Sequence, residues 1–123
     1  MTFEELRAKN KLRCEQSFHG PIDDWNPRDC AVAMAGEAGE ACNLCKKLRR
    51  GELVSTEDIA FEVADTVIYA DLLCQRLGVK LEDAVRIKFD LVSDHYGSLV
   101  KFSALDAEAG MEQMGFEKVE TPK

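Results

Sequence analysis

The chain has 123 residues, the size of one compact domain rather than several. Hydrophobic residues make up 46% and charged residues 32%, which excludes disorder over most of its length. A net charge of −7, from 16 basic and 23 acidic residues, argues against general binding to nucleic acid or to an anionic membrane.

Aromatics are only 7% and prolines only three, so the chain reads as helical rather than as a β-sandwich or barrel. No apolar run approaches the roughly 20 residues of a membrane span, so no membrane partner is expected. The amino end, Met1–Glu5, lacks the basic-then-apolar order of a secretion signal. The five cysteines, at 14, 30, 42, 45 and 74, are odd in number and sit in helical segments. They predict reduced thiols in a cytoplasmic compartment.

The first periodic stretch is 2–18, where Phe3, Leu6, Leu12 and Phe18 can cover one face and Glu4, Glu5, Arg7, Lys9 and Lys11 stay wet. His19-Gly20-Pro21 stops it. Asn26-Pro27 starts a second helix, which runs to Arg50 with Lys46, Lys47, Arg49 and Arg50 in its last turn and Gly51 as its stop. Ser55-Thr56-Glu57-Asp58 starts a third, ending at Leu77 before Gly78, and a fourth spans 81–96 before Gly97. Ser103 to Met114 reads as a short helix and Glu117 to Lys123 as a polar tail. The pattern predicts an all-α, antiparallel four-helix bundle, or half of a larger one.

Helices two and three break the amphipathic pattern. Between Cys30 and Cys45 the only charges are Glu37 and Glu40; between Ile59 and Cys74 they are Glu62, Asp65 and Asp71. Helices apolar on nearly every side are expected to be buried, where carboxylates are costly unless compensated. Glu37 and Glu40 share one helix face, as do Glu62 and Asp65. Asp71 lies roughly 120–180° around its helix from that pair and is assigned another role. A hairpin about Gly51 sets Glu40 opposite Glu62 and Glu37 opposite Asp65, with a shift of about a turn open to the uneven loop.

Four facing carboxylates cannot all stay ionised without a cation. An all-oxygen set without histidine favours Mg²⁺ or Mn²⁺ over Zn²⁺, and no Glu-x-x-His of the di-iron type is present. Against this stands the plain reading of acids facing solvent or a neighbouring subunit's lysines. Gly36 and Gly39 each cost about 1 kcal/mol relative to Ala inside a helix. Room for a ligand and close helix packing are equal explanations. Cys42-x-x-Cys45 lacks the further ligands of a zinc site and reads as buried structural thiols. The cluster 46–50 suits the helix dipole rather than nucleic acid.

At these residues the sequence resembles the MazG-like branch of the all-α nucleoside triphosphate pyrophosphohydrolases, a group that includes dCTP pyrophosphatases and dimeric dUTPases. The resemblance rests on Gly36-Glu37-Ala38-Gly39-Glu40 and Glu62-Val63-Ala64-Asp65. It continues through the segments 65–73 and 78–85 and Lys88-Phe89-Asp90, covering roughly residues 12–100. It implies a MazG-like helical domain over 1–100, completed by oligomerisation, followed by a short helix and tail over 101–123. It implies hydrolysis between the α and β phosphates, with Glu37, Glu40, Glu62 and Asp65 carrying Mg²⁺, for which Mn²⁺ can substitute. Such ions would activate water and neutralise phosphate charge. A glutamate of the first pair, Glu37 or Glu40, is the expected general base.

Lys88 matches the family's basic residue on the fourth helix, and Tyr96 matches an aromatic near that helix's end. Lys47, two turns beyond Glu40, is a further phosphate candidate. The plain alternatives are surface charge for the lysines and a core contact for Tyr96. Trp25 stands where related proteins place base-pocket residues, though a hydrophobic staple at the helix start is equally compatible. His19 is a weaker candidate. Many relatives have Asn at the position of Asp90 and Arg near that of His95; Asp90 also occurs in the dCTPase-like pattern and is kept among the substrate-binding residues. A nucleoside triphosphate substrate is the implied partner; a hairpin apolar on most sides has too much surface for four short helices to cover and predicts a homodimer at least, and the resemblance implies a dimer or a dimer of dimers. The rival function is a non-catalytic helical protein that binds nucleotide or serves assembly while keeping the site geometry.

Overall fold

The computed structural model describes residues 1–103 apart from His19. The expected helix beyond Ser103, the tail at 117–123 and the weak candidate His19 lie outside the described residues. Those described are all helical, with no strand: α1 (Phe3–Ser17), a short 3-10 turn (Ile22–Asp24), α2 (Pro27–Arg49), α3 (Thr56–Arg76) and α4 (Leu81–His95). No helix among them is long and apolar enough to cross a membrane. The chain forms two compact units, Met1–Leu81 and one that begins at Glu82.

The helix ends sit where local chemistry puts them. The Asn26 side chain accepts from the Arg28 N–H and Pro27 takes the first helical position, where its missing N–H costs nothing. The Ser55 hydroxyl accepts from the N–H groups of Glu57 and Asp58. Thr2 and Glu5 exchange bonds in a capping box that starts α1. Gly51 and Gly78 leave α2 and α3 at φ of 85° and 74°, a region other residues enter only under strain.

In the first unit α3 packs against both α2 and α1. The core joins Cys14, Ile22, Cys30 and Leu72, with Trp25, Tyr69 and Leu73 against it. The buried line of α1 is Leu6, Asn10 and Cys14. It is not the expected apolar face, since Leu12 and Phe18 are about half exposed at 48% and 52%. A polar side chain occupies the centre of that line because it has partners. Asn10 Nδ2 donates to the Asp71 carboxylate at 2.8 Å and the Ile68 carbonyl at 3.3 Å. Gln75 Nε2 donates to the same carboxylate at 2.8 Å and to the Arg7 carbonyl at 3.0 Å. Asp71, 1% exposed, is thus the anchor between α1 and α3, in keeping with its place away from the acid pair.

The apolar hairpin is not buried as expected. Val32 on α2 and Phe61 on α3 are 62% and 60% exposed. Cys42 and Cys45 are exposed free thiols, which corrects their reading as buried structural cysteines: this stretch of α2 turns outward. The buried thiols are Cys14 and Cys30, both pushed above the ordinary thiol range chiefly by burial.

Candidate functional site

The α2–α3 hairpin brings together Glu37, Glu62 and Asp65, each offering a carboxylate oxygen within 4.8 Å of the others. Glu37 and Glu62 are half-buried, while Asp65 and Glu40 are exposed. Glu37 meets both members of the second pair, and Glu40 stands outside the group of three. Glu37 thus lies near its expected partner Asp65 and near Glu62 as well.

Glu62 is held above the ordinary carboxyl range, first by a hydrogen bond with Glu37, then by burial and by the charges of Glu37, Glu40 and Asp65. A hydrogen bond between two carboxyls needs a proton on one of them, so this arrangement retains a proton that isolated acids would release. A cation can take that proton's place. The donor set is all oxygen and suits a hard divalent ion, with no softer ligand beside it. A Cβ on Gly36 or Gly39 would meet nothing within 4 Å, which removes close packing inside the chain as their explanation and leaves open space next to the glutamates.

Next to the acids lies a cavity of about 380 Å³, lined by Asp65, Ile68, Tyr69 and Leu72 of α3 and by Arg13, Phe18 and Trp25. This is near the small end of pockets that hold organic ligands. Trp25 is fixed at both ends: its indole N–H donates to the Gly20 carbonyl at 3.3 Å, and its own carbonyl accepts from Arg76 Nε. Asp65 belongs to both the cavity wall and the acid group, so the two features adjoin at that residue. Sequence reasoning found Trp25 and Asp65 but missed Tyr69, Phe18 and Arg13. Tyr69 stands one turn beyond Asp65 on the same face, which was the available signal. Nothing local separates Arg13 from other surface arginines.

Lys47 is half-buried on α2. In the second unit, Lys88 and Tyr96 line an open apolar groove of about 650 Å³ along α4, with Val85, Phe89 and Val92. Tyr96 is 79% exposed and meets the His95 ring edge-on, so it is not a core contact. Asp90 is 1% exposed, and its two oxygens accept the backbone N–H groups of Phe102 at 2.7 Å and Ser103 at 3.0 Å. That carboxylate secures the segment following α4. Among the described residues, no group of three or more potential metal ligands includes Cys42 or Cys45.

No protein-family model, curated protein or solved structure matches this chain.

Proposed function

We propose that the protein is a Mg²⁺-dependent nucleoside triphosphate pyrophosphohydrolase of the MazG-like type, built on a four-helix bundle that dimerises. The observation that carries this reading is the position of Asp65, shared between a cluster of carboxylates and an aromatic-walled cavity. A nucleoside triphosphate has the same two-part chemistry, a planar apolar ring joined to a polyanion. Bare acids repel the polyanion, and a cation reverses that interaction.

Glu37, Glu62 and Asp65 would hold Mg²⁺, or Mn²⁺ in its place, and Glu40, one turn from Glu37, completes the set. Bound divalent ions supply Lewis-acid activation of water and neutralise charge on the phosphates. Trp25 and Tyr69 offer aromatic faces on which a base can stack. Glu37 or Glu40 takes the proton from the attacking water, which adds to the α-phosphorus as the bond to the β-phosphate oxygen breaks. Monophosphate and pyrophosphate leave. Lys47 is assigned to the phosphates, whereas Lys88, Asp90 and Tyr96 belong to the second unit, where Asp90 holds the backbone that follows α4.

The test is pyrophosphate release from a panel of NTPs and dNTPs, with and without Mg²⁺, by wild type and Glu40→Gln. Metal-dependent formation of monophosphate, reduced about a hundredfold or more in the variant, is expected. A folded protein that releases pyrophosphate from none of them overturns the enzymatic reading and leaves the non-catalytic one.

A further inference from the structure

Arg13, exposed on α1, is held by two contacts. The buried Asp71 carboxylate accepts from Asn10 Nδ2 at 2.8 Å, and Nδ2 also donates to the Ile68 carbonyl. These two acceptors settle which end of the amide is nitrogen, so Oδ1 faces the next turn of α1. There it accepts from Arg13 Nη2 at 3.2 Å. The guanidinium also stands over the Phe18 ring, 5.3 Å from its centroid. A side chain with about 2 kcal/mol of rotamer entropy is thus held from two directions by groups that belong to the fold.

The cavity that Arg13 lines has one other charged wall, Asp65, and is otherwise aromatic and aliphatic. A guanidinium carries five N–H donors in a planar fork, and the bond to Asn10 uses one. The others suit a ligand edge with two neighbouring acceptors.

Resting on the nucleotide reading above, we infer that Arg13 is the specificity-determining residue of this cavity, reading the acceptor edge of the base. Guanine presents O6 beside N7, and cytosine presents O2 beside N3; both match the fork. Adenine sets an amino donor beside N7, and uracil and thymine set an N–H beside each carbonyl, so one arm of the fork meets a donor. Lysine keeps the charge but loses the planar pair of donors.

The experiment measures kcat/KM for dGTP, dCTP, dATP and dTTP with the full chain, as wild type and as Arg13→Lys and Arg13→Gln. Folding is checked by circular dichroism and acid-cluster binding by Mn²⁺ titration. Wild type is expected to favour dGTP and dCTP by about tenfold or more, the scale of one bidentate base contact. Both variants should bring the four substrates within about threefold of one another, with Mn²⁺ affinity unchanged. Hydrolysis without base preference in wild type, or preference retained in both variants, overturns the inference and leaves the enzymatic reading standing. An equal loss on all four substrates overturns it as well and assigns Arg13 to phosphate. Absence of hydrolysis in wild type, with no nucleotide bound, overturns both.

Discussion

Glu62 stands where the other carboxyls converge, bonded to Glu37 and under the charge of Glu40 and Asp65. Its raised proton affinity has a definite sign for stability. Between the ordinary glutamate range and the raised folded value, the folded chain binds more protons than the unfolded one, so stability falls as pH rises through that interval. Below the ordinary range the contribution is fully present. The protein in chelator should therefore melt at progressively lower temperature as the pH is raised from the acidic carboxyl range towards neutrality. Glu62→Gln should flatten the curve, because the amide donates to Glu37 at every pH. Saturating Mg²⁺ should flatten it too, by replacing the proton with a cation. Thermal melts across pH, with and without Mg²⁺, read all three; coincident profiles for wild type and Glu62→Gln would show that the acids do not interact.

At the scale of elements, α1 is tied to α3 by polar groups more than by apolar ones. Asp71→Ala leaves the buried amides of Asn10 and Gln75 without their shared acceptor, at a cost of about 3 kcal/mol. Asp71→Asn keeps one acceptor and should cost about half of that, while Glu15→Ala on the exposed side of α1 should be nearly neutral. Urea titration followed by circular dichroism measures each. The same helices show what a sequence exposes. Helix ends were legible to within a residue because their chemistry is local: Asn26-Pro27, Ser55 and the glycines at 51 and 78 act on their immediate neighbours. The convergence of Glu37, Glu62 and Asp65 was legible from mirrored spacing across a hairpin. The inner line of α1 escaped because hydrophobicity points to Leu12 and Phe18, whereas Asn10 is buried by a partner 61 positions away. The α1 side of the cavity escaped for the same reason, since the acceptor that fixes Arg13 is itself fixed by α3.

For the whole molecule, a single chain leaves apolar side chains in water that a stable fold would cover. Val63 and Val67, one turn apart on α3, are 50% and 38% exposed. Apolar surface gains about 25 cal/mol per Å² on burial, and a specific dimer buries about 1,200–2,000 Å² in all. Each copy carries a net charge of −7, so association works against repulsion and should tighten as salt screens it. Light scattering at micromolar concentration should give a homodimer, with a melting temperature that rises with protein concentration. Val63→Glu combined with Val67→Glu should give a monomer that keeps its helical signal and melts lower; a wild-type monomer at tens of micromolar would refute the dimer. The acid group and the cavity are each assembled from residues of one chain, so the monomeric variant should still bind Mn²⁺. If it does so while losing hydrolysis, the second copy contributes to substrate rather than to metal. That outcome would leave the carboxylate cluster a property of the single hairpin.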